Sequence, residues 1–218
     1  LFQISQENYP AAADMISKVK ALSKKYNKPI SIIQDISGMT EPLDLEFGLK
    51  SGSHWVITDQ PEHVKVAKGL DKLSKIIFKG RNLPKGIRVD SVLGDSFVDP
   101  DAQILGQGKG QIKHIISDHP NQAVIDSILD IATLADHAGV VTADLDAAKA
   151  MSWRRHPKII IFAPKNQAEA GRAAIYWGVQ PIFRGPDLNT SLIRSGLLRK
   201  GERFVDASDI RHIEIKTM

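Results

Sequence analysis

Two histidines in the chain have a spacing that could suit a metal ion. His114 and His119 lie five residues apart, and Asp118 directly precedes the second one. Imidazole and carboxylate groups are zinc ligands, but a zinc site needs three or four of them, and the other histidines are scattered. The sequence contains no cysteine, which excludes thiolate ligands, disulfides and a cysteine nucleophile. We therefore interpret the pair as surface histidines and predict neither a metal site nor a cofactor.

Two further segments could carry ligand chemistry. Residues 106–110 (Gly-Gln-Gly-Lys-Gly) are rich in glycine and contain a lysine, as phosphate-binding loops do. They lack the Gly-Lys-Ser/Thr ending and lie between predicted strands, which favours a hairpin turn. Residues 153–156 (Trp-Arg-Arg-His) could bind an acidic partner, although basic residues at a helix end also stabilise the helix dipole. No Ser-His-Asp arrangement is discernible, so we predict no catalytic residue.

Composition and charge are those of an ordinary globular protein. The chain has 218 residues, of which 42% are hydrophobic and 25% are charged. No apolar run approaches the roughly 20 residues that cross a bilayer, so membrane insertion is not expected. The net charge is +4 and the basic residues are spread along the chain, which disfavours a nucleic-acid partner without excluding one. Residues 1–30 lack the apolar core of a secretory signal, so we expect the cytoplasm or an organelle matrix, the mitochondrial matrix included, and no secretion.

The first 42 residues combine one predicted helix with one predicted strand. Apolar side chains at three- and four-residue spacing predict a helix over residues 11–26. Residues 30–36 (Ile-Ser-Ile-Ile-Gln-Asp-Ile) are rich in β-branched side chains, as strands buried on both faces are. Glycine and proline then recur every few residues across 43–118, which is typical of a small antiparallel barrel or sandwich. Residues 72–78 fit either a strand or a helix.

From residue 119 onward the pattern alternates between helices and strands. Buried strands are predicted at 140–142, 158–163, 179–183, 204–207 and 213–216. Amphipathic helices are predicted at 123–135, 145–154, 166–177 and 186–198. Such alternation indicates an α/β fold with a mostly parallel sheet covered by helices.

Within this last stretch the sequence resembles the C-terminal domain of pyruvate kinases. Residues 172–181 (Arg-Ala-Ala-Ile-Tyr-Trp-Gly-Val-Gln-Pro) are similar to the family's Arg-x-x-x-x-Trp/Arg-Gly-Val-x-Pro segment. Residues 196–205 (Gly-Leu-Leu-Arg-Lys-Gly-Glu-Arg-Phe-Val) resemble its Gly-Leu-hydrophobic-Lys-Lys-Gly-Asp stretch, and residues 213–216 resemble its final strand. The three segments follow one another in the family's order.

Earlier stretches resemble other parts of the same enzymes. Residues 29–38 (Pro-Ile-Ser-Ile-Ile-Gln-Asp-Ile-Ser-Gly) are similar to the third strand of the catalytic barrel, and residues 86–90 to part of the β domain inserted after it. The resemblance implies a remnant of a (β/α)8 barrel over 1–42 and a small antiparallel β-barrel domain over 43–118. A pyruvate kinase C-terminal-like α/β domain, with a mostly parallel sheet and helices on both faces, is expected over 119–218.

The length of the chain argues against catalysis. A closed (β/α)8 barrel takes about 250 residues, far more than the resemblance leaves for it. We therefore expect that the strands carrying the family's essential lysine and its two metal-binding carboxylates are missing. Phosphoryl transfer depends on magnesium ligands and a cation that clamps the phosphoryl oxygens, so it should not survive that loss.

Single residues at the implied sites support the same interpretation. The resemblance aligns Gln3 with an arginine that meets phosphate, and a neutral amide cannot supply that cationic fork. Asp35 alone keeps its family identity, as a vestigial position. Residues 142–148 align with an effector turn that cradles a sugar phosphate in regulated family members. There Thr142, Asp144 and Asp146 are a weak candidate for a ligand-binding turn, because carboxylates cap a helix well but repel phosphate.

The sequence thus predicts a pyruvate kinase-like, degenerate enzyme that serves as a non-catalytic binding or structural subunit of a larger assembly. Protein partners or a homo-oligomer are expected, because the apolar strand at 30–36 needs neighbours on both edges. Two alternatives stay open. The chain could be part of an active pyruvate kinase that transfers phosphate from phosphoenolpyruvate to ADP, or a small-molecule sensor that uses its C-terminal domain.

Overall fold

The chain divides into two compact units, each with its own β-sheet. Unit 1 draws on residues 1–19 and 32–117, and unit 2 on residues 20–31 and 118–218. We call their sheets sheet 1 and sheet 2. The computed structural model describes residues 2–3, 8–39, 42–72, 74–80, 83, 86–93, 103–105, 112–116, 121–154, 156–183 and 185–218.

Unit 1 alternates strands and helices from its start. Its elements are β1 (Phe2–Gln3), the first part of α1 (Tyr9–Lys25), β2 (Ile33–Asp35), α2 (Pro42–Ser51), β3 (Trp55–Thr58), α3 (Pro61–Leu70), β4 (Lys75–Lys79), β5 (Ser91–Leu93), β6 (Gln103–Leu105) and β7 (Ile112–Ile116). Residues 20–25 of α1 belong to unit 2. Sheet 1 has the order β1-β2-β3-β4-β5-β7-β6. Its first five strands are parallel, and β7 is antiparallel to β5 and β6. Parallel strands in chain order are also the arrangement within a (β/α)8 barrel, but the described strands do not close into one.

An apolar layer holds α2 and α3 against sheet 1. It comprises Ile36, Leu45, Val56, Val64, Ala67, Ile76, Phe78 and Val92. Strand β3 is buried along its whole length, Trp55 included, as expected for a strand inside a parallel sheet. The buried Gln34 of β2 joins the sheet to α2, since its Nε2 donates to the carbonyl of Asp44 at 2.6 Å. A Cβ at Gly48 of α2 would come within 1.8 Å of Gln34 Oε1, so this contact requires glycine.

Unit 1 differs from the predicted small antiparallel β-barrel over 43–118. Across residues 43–93 the described chain forms two helices and three strands that extend a parallel sheet, so the prediction is wrong there. The prolines explain the error, because Pro42 and Pro61 open helices rather than turns, and proline suits a first helical turn. The expectation that the strands carrying the family's lysine and metal-binding carboxylates are missing stays a prediction. Of residues 72–78, left open by the sequence, 75–78 lie in β4.

Unit 2 continues the alternation of helices and strands. Its elements are α4 (Gln122–Leu134), β8 (Gly139–Thr142), α5 (Leu145–Trp153), β9 (Ile159–Phe162), α6 (Gln167–Ala173), β10 (Val179–Pro181), α7 (Leu188–Ser195), β11 (Arg203–Asp209) and β12 (His212–Thr217). Sheet 2 has the order β10-β9-β8-β11-β12. Strands β10, β9, β8 and β11 are parallel, and β12 is antiparallel to β11. The predicted α/β class is therefore confirmed, with a mostly parallel sheet 1 and a mixed sheet 2.

The core of unit 2 lies on the middle strands of sheet 2. Val141, Ile161 and Phe204 are fully buried and pack with Ile182, Leu192 and Leu198. Gly196 ends α7 in the left-handed conformation, with φ at 68°, which a residue with a side chain adopts at a cost. Among the described residues, no helix combines the length and the apolar character needed to cross a bilayer.

Candidate functional site

The strand order of sheet 2 reverses at β8. The chain runs from β8 outward to β9 and β10, and then returns to place β11 on the other side of β8. The connections leaving the carboxyl ends of β8 and β11 therefore diverge. Open α/β sheets bind ligands in the crevice that such a reversal creates.

A cavity of about 590 Å³ lies at this reversal. Residues 143–145, which directly follow β8, and residues 208–211, around the turn between β11 and β12, line this cavity. Three more lining residues come from neighbouring loops and helices: Asn121, Lys165 and Glu169. A second cavity of about 390 Å³ adjoins it and shares Ala143, Lys165 and Ser208. We call the two cavities together the switch-point cleft. Their volumes fall in the range of small-molecule sites.

The second cavity has an apolar floor. Ile182 and Pro164 are buried, and Leu188 is partly buried against the core of unit 2. One side is closed by the segment before α7, where the Gly185 N–H donates to Ser191 Oγ at 2.7 Å. A ligand here would meet hydrocarbon below and polar groups at the rim.

The predicted ligand-binding turn lies at one wall of the cleft, and the structure separates its three residues. Thr142 is buried at the end of β8, where its Oγ1 accepts from the Asp144 N–H at 3.2 Å. Asp144 lines the cleft and caps α5, accepting from the N–H groups of Asp146 and Ala147 at 2.9 and 3.2 Å. Asp146 is exposed in the first turn of α5. Of the three, only Asp144 contributes to the cleft wall.

Asp206 of β11 lines the second cavity of the cleft, and sequence reasoning missed it. The carboxylate is buried and accepts from Ser208 N at 3.0 Å, from Ser208 Oγ at 2.6 Å and from Lys216 Nζ at 2.6 Å. Burial alone would raise the pKa of Asp206, but Lys216 and Ser208 together lower it. The side chain is therefore ionised at neutral pH. The one available signal was an acidic residue inside the apolar segment 204–207.

The helices that begin at the cleft are capped by their own side chains. Asp187 caps α7, accepting from Thr190 N at 2.8 Å and from Thr190 Oγ1 at 2.7 Å. At α6, Asn166 Oδ1 accepts from the Glu169 N–H at 3.1 Å, and Glu169 in turn accepts from the Lys165 N–H at 3.1 Å. Carboxylates thus occupy the helix ends that would otherwise attract an anion.

Unit 1 has a second group of polar side chains, at the carboxyl ends of β2, β3 and β4. Asp35 Oδ1 accepts from Ser37 N at 2.9 Å and from Ser37 Oγ at 2.6 Å. Lys79 Nζ lies 3.2 Å from Ser37 Oγ, and the carboxylate of Asp59 accepts from the Gly38 N–H at 3.0 and 3.1 Å. We call Asp35, Ser37, Asp59 and Lys79 the unit 1 cluster. Its members bond mainly to one another and to nearby backbone.

The unit 1 cluster bears directly on the residues singled out from the sequence. The register of β1 and β2 places Gln3 opposite Asp35, so the two positions are neighbours in sheet 1. Lys79 was not singled out as a site residue, because residues 72–78 fitted either a strand or a helix. An available signal was a lysine ending the apolar run Ile76-Ile77-Phe78.

The other candidate residues lie largely outside the described structure. The segment 106–110 and residues 118 and 119 are not among the described residues, and His114 is described only as a position in β7. The described residues contain no group of three or more His, Cys, Asp or Glu that could hold a metal ion. Arg154 follows the end of α5 and makes two hydrogen bonds to Asp126, at 2.8 and 2.9 Å.

Comparison with protein families and with curated proteins found no match for this chain. The similarity to pyruvate kinases therefore rests on the residues quoted above. The chemistry of the site has to be argued from the switch-point cleft and the unit 1 cluster themselves.

Proposed function

We propose that this chain is a non-catalytic, ligand-binding protein with a pyruvate kinase-like architecture, which holds a small molecule in the switch-point cleft. The observation that carries the proposal is the cleft itself. It lies where the strand order of sheet 2 reverses, and it combines an apolar floor at Ile182 with a polar rim at Asp144 and Ser208. A few polar groups above an apolar surface are what small-molecule sites need for affinity and orientation.

The unit 1 cluster supports binding over catalysis. Its carboxylates already accept from Ser37 and Gly38, and Lys79 already contacts Ser37, so the groups satisfy one another. A general base or nucleophile has to be free to reach a substrate atom. Gln3, opposite Asp35, would contribute an amide where a phosphate-binding enzyme of this kind is expected to have arginine.

A panel of ligands tests the proposal. We expect at least one compound among nucleotides, sugar phosphates, amino acids and amines to raise the melting temperature of the full chain. A ligand at a hundred times its Kd stabilises the folded protein by about 2.7 kcal/mol, a shift of several degrees. NMR shifts of the Ser208 and Ile182 amides would then place the ligand in the switch-point cleft. A flat panel, with no shifted cleft amide, would count against the proposal.

A second function, phosphate transfer from phosphoenolpyruvate to ADP, is favoured by one observation. A lysine does stand at the carboxyl end of a parallel strand that follows β2, and its Nζ lies 3.2 Å from Ser37 Oγ in the unit 1 cluster. The assay is pyruvate formation by the purified chain with magnesium and potassium, compared with a Lys79→Met variant. Pyruvate formation that disappears in the variant would put this function first; equal background in both chains would remove it.

The proposed role as a subunit of a larger assembly needs a separate measurement. Light scattering on the protein from its source, with the intact mass of the polypeptide, gives the composition of the native particle. A particle larger than one chain is expected, with either a partner protein or a second copy. A monomer at high concentration would remove the assembly from the proposal and leave the cleft untouched.

A further inference from the structure

The charges around the switch-point cleft are predominantly negative. Among the lining residues that the structure describes, five are acidic and two are basic: Asp144, Glu169, Asp187, Asp206 and Asp209, against Lys165 and Arg211. Lys216 offsets Asp206 at 2.6 Å, and Arg211 Nε lies 3.3 Å from Asp209. Arg194 acts on Asp187 from the same helix, which leaves Asp144, Glu169 and a partly offset Asp187 against Lys165 among the described lining residues.

Asp187 directly precedes Leu188, one of the residues of the apolar floor. It lines the smaller cavity beside Leu188, with Ile182 at the bottom. The N–H and hydroxyl of Thr190 lower the pKa of Asp187, so the group is ionised throughout the neutral range. Asp187 is exposed, and each of its oxygens accepts one hydrogen bond from Thr190, so a ligand would have to use their remaining lone pairs.

The same geometry disfavours an anionic ligand. A phosphate or carboxylate group would bind most readily at the free N–H groups of a helix start. In the cleft those N–H groups are already bonded to Asp144 at α5 and to Asp187 at α7, and both capping groups are negative. An anion would have to displace a capping carboxylate, and the other carboxylates that line the cleft would repel it.

We propose that the switch-point cleft selects a small organic cation, an ammonium group on an apolar body of about the size of a benzyl group. The body lies on the floor formed by Ile182, Pro164 and Leu188, and the ammonium group faces Asp187. This inference rests on the proposed function and names the ligand class of that site. It also predicts that phosphorylated compounds are poor ligands of the cleft.

Three probes with one body and different charges test the selection. Benzylammonium, benzyl alcohol and benzyl phosphate are titrated into the full chain, with binding followed by NMR shifts of the Ile182 and Leu188 amides. We expect benzylammonium to bind about two- to five-fold more tightly than benzyl alcohol, the range of one partly exposed charge pair, and benzyl phosphate to bind least.

A matched pair of variants locates the charge that matters. Asp187→Asn keeps a good helix cap while it removes the carboxylate, so unit 2 should fold normally. Asp130→Asn removes one exposed carboxylate from α4, outside the cleft lining. The preference for benzylammonium over benzyl alcohol should vanish in Asp187→Asn and persist in Asp130→Asn.

Failure of this inference and failure of the proposed function would give different results. If benzyl phosphate or a sugar phosphate binds in the cleft more tightly than benzylammonium, the inference is overturned and the proposed function stands. An equal loss of preference in both variants would also overturn it, since the selection would then follow net charge rather than Asp187. If neither these probes nor the wider panel shifts any cleft amide, the inference and the proposed function fall together.

Discussion

The two sheets present similar residues at their carboxyl ends, yet with different results. In sheet 1 the first five strands follow chain order, so their successive loops lie side by side, and Ser37 bonds to both Asp35 and Lys79. In sheet 2 the order reverses at β8; Asp206, Ser208 and Lys216 bond to one another there too, but Ser208 and Asp144 also line a cavity. Aspartate, serine and lysine occur at both edges. The same aspartate–serine–lysine bonding thus occurs at both edges, and a cleft lies beside it at the edge where the strand order reverses.

The largest expected effect comes from removing one core aromatic side chain from each sheet. Trp55 and Phe204 are both fully buried, so Trp55→Ala and Phe204→Ala should each lower the free energy of unfolding of their own unit by about 3–5 kcal/mol. Chemical denaturation followed by hydrogen exchange would assign each loss to a unit. Only Phe204→Ala should also abolish ligand binding in the cleft; loss of binding in Trp55→Ala would contradict the separation of the two edges.

A smaller effect is expected from the buried, lysine-paired aspartate that each unit contains. In unit 1, Asp90 accepts from Lys75 Nζ at 3.0 Å and from Ile76 N at 2.9 Å; in unit 2, Asp206 pairs with Lys216. We expect Asp90→Asn and Asp206→Asn to destabilise their units by about 1–3 kcal/mol, since each removes a buried carboxylate that accepts from a lysine and from a backbone N–H. Only Asp206→Asn should alter ligand binding, as measured by titration of the best cleft ligand.

The pH dependence of these two groups follows from the direction of their shifts. Burial would raise the pKa of Asp90, but Lys75 and Lys68 outweigh it, so the folded pKa is lowered, as it is for Asp206. The unfolded chain then takes up protons first as pH falls. Their stabilisation is present above the ordinary pKa of 3.8 and is lost below it. Acid unfolding curves that are unchanged in both variants would contradict this assignment.

His137 should make unit 2 sensitive to mild acid. The ring is fully buried just before β8, and within the described chain neither of its nitrogens has a hydrogen-bond partner. Burial, with Arg203 and Lys158 nearby, lowers the pKa of His137 below its ordinary 6.5. The unfolded state therefore binds the proton first, and stability falls below pH 6.5 by at most about 1.4 kcal/mol per pH unit. His137→Leu should remove this slope from the denaturation curves; an unchanged slope would assign it elsewhere.

The smallest effect is expected at Lys79. Its side chain is exposed and its hydrogen bond to Ser37 lies at the surface, so Lys79→Met should change the free energy of unfolding by no more than about 0.5 kcal/mol. Binding of the cleft ligand should be unaffected, while Asp187→Asn changes it. A large loss of stability in Lys79→Met would mean that the unit 1 cluster holds sheet 1 together more strongly than its exposure indicates.

Elements with strong local patterns could be predicted from the sequence. The apolar spacing over 11–26 corresponds to α1 at Tyr9–Lys25, and the buried run at 158–163 to β9 at Ile159–Phe162. The apolar spacing of the helix and the unbroken apolar run of the strand are each long enough to outweigh single turn-forming residues. Within residues 43–93 the elements are short, and the same prolines that suggested turns start helices instead.

The site was harder to predict, because its contacts join distant parts of the chain. Lys79 and Ser37 lie 42 positions apart, and nothing local to either residue signals the other. Asp187 and Asp206 border one cavity only because the start of α7 and the second half of β11 lie near each other in unit 2. Asp144, in contrast, could be identified as a helix cap from the sequence, since capping is a local interaction.

The burial of Trp55 in β3 also has an optical consequence. An indole shielded from water emits at shorter wavelength than an exposed one and is protected from quenchers such as iodide. The other two tryptophans, Trp153 and Trp177, both lie in unit 2, and Trp177 is half exposed. A blue, quencher-resistant component of the fluorescence should therefore report on unit 1, so one spectrum can follow the unfolding of the two units separately.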